Sequence, residues 1–423
     1  MKILEDRKTK IYIDLGSSTV KVYLYSNKKL KLLDSKSFHF KEGVDPDCGI
    51  SEKKQHDLIK YIKNIQSKFT DISIKIFATA IFRTLSLTAQ HKLSDEFFRK
   101  TGLYLNIIPH DLENYYLESA LSSQYKRSLP LLLINIGGGS VELIVKEKGE
   151  TKYSYNLNFG VGTILEQFPN INDKISPYSL NDIVSFVEKK LPRINYVTKN
   201  AIYSGGELTF MRSAGYKLYK NNIFTDEDHP QYIKVKDFFS KNIEIFNDIT
   251  IGELENLMPS NPLWMHGARA CSAIAQGIVK RFEVKNIIPS DSNMIHGVIR
   301  GEHRRVVLSG SFRKHLEYII NIKHILEEQN TEVLSPRFEE LKSSNEEFVV
   351  VQGEEELPSL DLERYHLDAI DKCDALIVCS QNGYVGASTL LEIGYAQAIR
   401  KRIIFTEMPE EFILQTLPAE VGL

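Results

Sequence analysis

The sequence is poor in cysteine and holds no long hydrophobic run. Its four cysteines, Cys48, Cys271, Cys373 and Cys379, include no C-x-x-C pair. That spacing excludes a disulfide framework and a structural zinc site, and it is typical of reduced thiols in a cytosolic protein. No apolar stretch approaches the roughly 18 residues of a membrane-spanning helix, and the first residues have no signal-peptide pattern. We therefore expect a cytoplasmic protein without a membrane partner.

An excess of positive charge is also missing. The chain has 53 basic and 55 acidic residues, a formal net charge of −2. A general nucleic-acid binder carries a basic surplus, so we expect no nucleic-acid partner. Apolar residues make up 42% of the 423 residues, which is typical of a globular protein of two or three domains.

Two glycine-rich turns between apolar strands organise the first three hundred residues. Asp14-Leu15-Gly16-Ser17-Ser18 closes one strand and opens the next, and Ile136-Gly137-Gly138-Gly139-Ser140 does the same later. Two hairpins of one design, about a hundred residues apart, predict an internally duplicated α/β fold. Between residues 180 and 300 we expect mainly helix, interrupted by one strand at Ala201–Tyr203. We place this domain at residues 1–303, with lobes at about 1–125 and 126–303.

The same turns are candidate phosphate sites. Glycine lets the backbone approach a ligand closely, and exposed N–H groups and serine hydroxyls can surround an anion. A strand follows each turn and no G-K-[ST] appears, so neither is a P-loop. One turn alone is better explained as a plain hairpin, but the pair favours phosphate binding. The candidate residues are Gly16, Ser17, Ser18, Gly137, Gly138, Gly139 and Ser140.

Residues 8–303 resemble the exopolyphosphatase and guanosine pentaphosphate phosphatase family, which has an actin/Hsp70-like (ribonuclease H-like) two-lobed fold. IDLGSST and INIGGGSVELIV are similar to its two phosphate loops, and ATAIFRTL and IIPHDLENYYL to the segments between them. The resemblance implies that Arg83 contacts the phosphate chain and that Glu113 is catalytic. An arginine fork suits phosphoryl oxygens, and a carboxylate can act as general base on water. Asp14 and Glu142 could hold Mg²⁺, which prefers oxygen ligands.

One position departs from the pattern of that family. Asn135 stands just before the second glycine run, where the family has an acid. An amide keeps the shape of a carboxylate and loses its charge, so the positioning of metal or water is altered. We therefore expect phosphate-chain binding, and leave hydrolysis open.

From about residue 304 the pattern changes to strands that alternate with helices. That alternation predicts a doubly wound parallel sheet over residues 304–423. Residues 306–406 resemble the nucleoside 2-deoxyribosyltransferase-like family, on the segments VVLSGSF, LDAIDKCDALIV and ASTLLEIGYA. The resemblance implies a flavodoxin-like domain with a catalytic glutamate at Glu392 and a supporting aspartate at Asp368, for which Asp371 or Asp374 could be mistaken. The candidate nucleotide-binding residues are Ser309, Gly310, Ser311, Tyr384, Gly386 and Ser388.

The chemistry of this second site needs no cofactor. Cleavage of an N-glycosidic bond builds positive charge on the sugar, which one carboxylate can attack or stabilise while a second carboxylate positions a sugar hydroxyl or a water. Transfer to another base stays possible beside hydrolysis. His366, nearby in the sequence, is expected to be a helix-surface residue.

Three functions remain open from the sequence. The first is a nucleotide N-glycosidase whose front domain senses, and could hydrolyse, a polyphosphate or guanosine polyphosphate. The second is an active exopolyphosphatase or pentaphosphatase with a nucleotide-binding regulatory domain, against which Asn135 speaks. The third is a non-catalytic nucleotide sensor. The expected partner is a nucleotide or polyphosphate ligand, and because both families commonly self-associate, the resemblance also implies a homo-oligomer.

Overall fold

The protein is described here by a computed structural model. It describes residues 9–17, 19–27, 29–38, 40–122, 130–148, 150–173, 176–193, 196–223, 228–259, 262–300, 305–328, 331–336, 341–344, 349–351, 359–399 and 401–423. Within these ranges, the helices are all too short or too polar to cross a membrane.

The first lobe is built on a five-stranded sheet in the order β3-β2-β1-β4-β5. The first three strands form an antiparallel meander, whereas β1, β4 and β5 run parallel. Helix α1 covers the sheet with the apolar side formed by Leu58, Ile62 and Ile65. The elements are β1 (Lys10–Leu15), β2 (Thr19–Ser26), β3 (Lys29–Ser37), α1 (Glu52–Lys68), β4 (Ser73–Ala78), α2 (Leu87–Thr101), β5 (Leu105–Ile107) and α3 (His110–Ser122).

The second lobe repeats this plan on a seven-stranded sheet, in the order β10-β11-β12-β9-β6-β7-β8. Strands β6, β7 and β8 are an antiparallel meander, and β6, β9 and β12 run parallel. The repeat confirms the predicted duplication. The elements are β6 (Leu131–Ile136), β7 (Val141–Glu147), β8 (Glu150–Leu157), α4 (Val161–Gln167), α5 (Leu180–Lys190), β9 (Asn200–Ser204), α6 (Glu207–Ser213), β10 (Tyr219–Lys220), β11 (Gln231–Lys234), α7 (Val235–Asn247), α8 (Ile251–Asn256), α9 (Ala268–Arg281), β12 (Asn286–Pro289) and α10 (Met294–Arg300).

The strands β10, β11 and β12 correct the expectation of a single strand between residues 180 and 300. They are only two to four residues long, too short to show an alternating pattern in the sequence. Pairing with neighbouring strands stabilises them instead, since β12 pairs with β9, β11 with β12 and β10 with β11. Helix α10 then returns to the first lobe, where Met294, Ile295 and Val298 share a core with Leu112 and Tyr116 of α3.

The third sheet contains five strands in the order β14-β13-β17-β18-β19, and every neighbouring pair is parallel. A separate antiparallel pair, β15 and β16, lies outside it. Counted within the five-stranded sheet the order is 2-1-3-4-5, so the carboxyl ends of β13 and β17 flank the point where the order reverses. The elements are β13 (Arg305–Gly310), α11 (Phe312–Glu328), β14 (Glu332–Ser335), β15 (Leu341–Ser344), β16 (Val349–Val351), α12 (Ser359–Lys372), β17 (Ala375–Cys379), α13 (Ala387–Ala398), β18 (Arg402–Phe405), α14 (Phe412–Gln415) and β19 (Glu420–Val421).

The edge of this third sheet is docked on the first lobe. Glu420 of β19 accepts hydrogen bonds from Arg402 at 2.5 and 2.8 Å and from the hydroxyl of Tyr116 on α3, and all three side chains are buried. The N–H of Val421 donates to the side-chain oxygen of Asn106 at 2.7 Å. The helix that carries Glu113 is therefore in direct contact with the last strand of the chain.

Candidate functional site

The two predicted glycine turns come together in the structure. A Cβ built on Gly139 would lie 3.3 Å from the Ser17 hydroxyl, so a side chain there would crowd the other turn. The Ser17 hydroxyl is buried and has no hydrogen-bond partner among the described residues. Ser140 is buried at the end of the second turn. Ser18, also predicted to bind phosphate, lies outside the described residues.

Lys41, which the sequence analysis missed, joins the two turns. It follows the segment in which the N–H of Phe40 donates to the carbonyl of Ser17 at 3.0 Å. Its ammonium group reaches the opposite lobe and donates to the carbonyl of Gly138 at 3.3 Å. A lysine in a polar loop has no sequence signal for such a role. The contact places a positive charge where the two predicted phosphate turns meet.

Arg83 and Glu113 form a nearly buried ion pair beside the turns. A short 3-10 helix, Ala80–Thr84, places Arg83 after β4, and α3 presents Glu113. The Nη1 of Arg83 donates to the Glu113 carboxylate and to the carbonyl of Ile108. Its Nε and Nη2 atoms are buried without partners in the described part of the chain. One edge of the guanidinium fork is therefore available to a second anion.

Glu142 is the most enclosed acid of the site, with 2% of its surface exposed. One oxygen accepts from the amide of Asn135 at 2.8 Å, and Asn135 in turn accepts from Ser204 at 3.0 Å. The other oxygen is buried with no partner among the residues the structure describes. Burial, together with the charge of Glu113, raises the pKa of Glu142 to about 7. Asn135 thus donates to the very carboxylate that an aspartate at this position would repel.

The metal-ligand prediction is only partly reproduced. In the described chain, Glu142 is grouped with Glu113 and His110, and one ligand atom of each lies within 4.8 Å of the others. The second predicted ligand, Asp14, is outside this group. Burial raises the pKa of Asp14 to about 6, with Lys21 opposing and Glu113 adding to the shift. His110 was not predicted from the sequence, although its spacing of three residues from Glu113 on a helix was a usable signal.

A second cluster surrounds Glu392, at the carboxyl ends of the strands in the third sheet. Glu392 lies on α13 with 6% of its surface exposed, and it accepts a hydrogen bond from the buried hydroxyl of Ser309. The Nε2 of His366 lies 3.2 Å from the same carboxylate. The other ring nitrogen is 2.6 Å from the hydroxyl of Ser335. His366 therefore faces this cluster and is not the surface residue that the sequence suggested.

Asp368 does not join this cluster. It follows His366 by two residues, about 200° around the helix, and its side chain is exposed. Asp371 is exposed as well. Asp374 accepts from the N–H of Arg305 at 2.8 Å, at the opposite end of β13 from Ser309. The structure thus brings His366, and none of these three aspartates, to Glu392.

Among the remaining predicted nucleotide residues, Tyr384 and Gly386 lie close to Ser311. The ammonium group of Lys314 is 3.7 Å from the centre of the Tyr384 ring, and His315 packs against the edge of that ring. A Cβ built on Gly386 would lie about 4 Å from both Tyr384 and Ser311. Gly310 is enclosed by Cys379 and Ile319, and Ser388 is exposed in the first turn of α13.

The chain is similar to known proteins both in sequence family and in fold. The family model described as the Ppx/GppA phosphatase family matches residues 7–305. The crystal structure of the Aquifex aeolicus member of that family is similar with a TM-score of 0.54 and 18% identity, over 70% of this chain and 97% of that one. An exopolyphosphatase from Cytophaga hutchinsonii has a TM-score of 0.54 and 15% identity, over 69% and 96% of the two chains. No curated protein matches the sequence. At these identities the solved structures show a shared fold.

Proposed function

The chain belongs to the Ppx/GppA phosphatase family, and from this premise we propose that its two-lobed domain hydrolyses the terminal phosphate of a phosphate chain. The substrate class is inorganic polyphosphate or a guanosine polyphosphate. The observation that carries the proposal is the ion pair of Arg83 and Glu113, which leaves the Nε and Nη2 atoms of Arg83 buried without a partner among the described residues. An enclosed guanidinium edge is suited to two phosphoryl oxygens.

The residues divide the work of hydrolysis among them. The two glycine turns and Lys41 bind the phosphate chain of the substrate. The open edge of Arg83 orients the phosphoryl group that is attacked. Glu113 is the general base that takes a proton from water, and its pairing with Arg83 keeps the carboxylate directed at that phosphoryl group. Positioning and charge stabilisation supply most of the catalysis of phosphoryl transfer.

A divalent cation fits the same centre. One oxygen of Glu142 is buried without a partner in the described part of the chain, and it and the nearby carboxylate of Glu113 are suitable donors for such a cation. When bound, the cation would neutralise charge on the phosphoryl oxygens. If these carboxylates are the only protein ligands, the expected cation is Mg²⁺, which prefers oxygen donors.

Phosphate release from purified protein tests the hydrolase. Inorganic polyphosphate and guanosine pentaphosphate are the substrates, each with added divalent cation. Glu113→Gln should lower kcat by about 10²-fold or more, with a small change in KM, because a general base contributes on that order. Glu96→Gln, on the surface of α2, is the control and should retain activity. Undiminished release by Glu113→Gln would rule out the assigned base.

We further propose that the C-terminal domain, of flavodoxin-like type, cleaves the N-glycosidic bond of a nucleotide. The observation in favour is the enclosure of Glu392 between the Ser309 hydroxyl and the imidazole of His366. Glu392 attacks or stabilises the sugar carbon. The supporting role passes from Asp368 to His366, because Asp368 is exposed on the far side of α12.

Chromatography of free base, after incubation with a panel of nucleotides, tests this second activity. Glu392→Ala and His366→Ala should both abolish or sharply reduce base release. Asp368→Asn is the matched control, since it changes a charge on the same helix away from the cluster. If Asp368→Asn were the damaging change, His366 would lose its role. If the unaltered protein bound nucleotides and released no base, the domain would be a regulatory binding module.

A further inference from the structure

A cluster of three possible metal ligands, one imidazole and two carboxylates, lies near the N-terminus of α3. Its members are His110, Glu113 and Glu142. One ligand atom of each lies within 4.8 Å of the others. His110 and Glu113 are three residues apart on one helix, which places both side chains on the same face. Glu142 comes from β7 in the other lobe. A histidine and a glutamate at this spacing, completed by an acid from a second element, are a known way to bind a metal in proteins.

An independent observation indicates that a ligand belongs in this cluster. Only 2% of the surface of Glu142 is exposed, and one of its carboxylate oxygens has no hydrogen-bond partner among the described residues. Leaving a buried carboxylate oxygen unsatisfied costs free energy. Arg83 binds Oε2 of the neighbouring Glu113 and so cannot by itself compensate both acids. A cation between the two carboxylates would satisfy this oxygen and remove their mutual repulsion.

The donor set selects among cations. Mg²⁺ prefers an all-oxygen octahedron and usually keeps several waters, whereas imidazole suits transition metals such as Fe²⁺ and Zn²⁺. We propose that His110, Glu113 and Glu142 bind a divalent first-row transition metal, and that His110 selects it over Mg²⁺. Three protein ligands leave open positions for a phosphoryl oxygen and a water. The inference rests on the proposed phosphatase centre, with which it shares two acids, but metal binding is measured without turnover.

Metal binding to the full chain, stripped with a chelator, is the test. Mn²⁺ is the paramagnetic member of that class used as the probe, and calorimetry should show that the protein binds it at least about tenfold more tightly than Mg²⁺, because Mn²⁺ accepts an imidazole ligand more readily than Mg²⁺ does. His110→Ala should weaken Mn²⁺ binding by about ten- to a hundredfold and change Mg²⁺ binding little. His56→Ala, an exposed residue of α1, is the control and should change neither.

A spectroscopic measurement separates direct ligation from a fold defect. Electron spin-echo modulation of bound Mn²⁺ should show coupling to one imidazole nitrogen, and His110→Ala should remove it while the thermal unfolding midpoint is retained. Equal affinity for Mg²⁺ and Mn²⁺, or nitrogen coupling that survives His110→Ala, would overturn the inference. Tight Mn²⁺ binding without phosphate release would overturn the proposed phosphatase activity and leave the metal site standing.

Discussion

Lys41 is the residue whose role depends most on its position in the fold. Its ammonium group crosses from the first lobe to the carbonyl of Gly138 and lies beside Ser17 and Gly139. The backbone of the second turn provides partial charges only, whereas Lys41 adds a full one. At the scale of single residues it should therefore contribute more to ligand affinity than to the chemical step.

Replacement of Lys41 by methionine keeps the length of the side chain and removes its charge. A charge-assisted hydrogen bond contributes about 1.5–3 kcal/mol, so KM for the phosphate chain should rise about ten- to a hundredfold with kcat much less affected. The dependence of KM on salt should also weaken. Steady-state phosphate release at two ionic strengths measures both. Lys100→Met, on α2, should behave as the unaltered protein, and an unchanged KM for Lys41→Met would contradict the role of Lys41.

Helix α3 is the element on which the site depends. It carries His110 and Glu113, its Asn114 donates to Ser154 and Asn156 of the second lobe at 2.8 and 3.0 Å, and its Tyr116 contacts Glu420 of the third sheet. Helix α10 packs on it so closely that a Cβ built on Gly297 would overlap the carbonyl of Tyr116. The position of Glu113 is thus fixed by contacts with three parts of the chain.

Gly297→Ala should separate α10 from α3. Overpacking a tight contact costs about 1–3 kcal/mol, and we expect a lower urea midpoint together with a lower kcat, because Glu113 shifts with its helix. Gly394→Ala is the matched control, since a Cβ built there meets no described residue within 4 Å and alanine favours the helix. The control should match or exceed the stability of the unaltered protein. If Gly297→Ala were as stable as Gly394→Ala, the close contact between α3 and α10 would not be needed for stability.

At the scale of the whole molecule, a buried ion pair joins the third sheet to the first lobe. Arg402 and Glu420 are both buried, and Tyr116 completes the group. Burial opposes ionisation of Glu420, but the charge and hydrogen bonds of Arg402, together with Lys75 and the Tyr116 hydroxyl, outweigh it and lower the pKa of the carboxyl below its ordinary 4.5. The contribution of Glu420 to stability is therefore complete above pH 4.5 and is lost as the pH falls through the lower, folded-state pKa.

Glu420→Gln leaves Arg402 as a buried charge without its counterion. Removing one partner of a buried pair typically costs about 3–5 kcal/mol, so the urea midpoint near pH 7 should fall markedly. Below pH 4.5 the unaltered protein should lose stability more steeply than the variant. Urea unfolding across pH 3–7 measures the difference, with the exposed Glu411→Gln as control. Parallel pH profiles for Glu420→Gln and the unaltered protein would show that the pair does not stabilise docking.

The sequence by itself determined the elements with strong local patterns. The glycine turns at Gly16 and Gly137, the duplicated hairpins and the alternating strands after residue 304 follow from turn chemistry and from the spacing of apolar residues, which are local properties. The roles of Arg83, Glu113 and Glu392 came from family resemblances and stay predictions.

Only the tertiary structure decided which side chains meet. Lys41, His110 and His366 gain their places from contacts between residues distant in the chain, such as Lys41 with Gly138 and His366 with Glu392. Short strands such as β12 and β19 exist because a neighbouring strand pairs with them. Asp368 faces away from Glu392 whereas His366 faces it, because side chains two positions apart on a helix point to nearly opposite sides. Contacts across the fold are not encoded in local spacing, and these residues could be placed only once the three sheets were packed together.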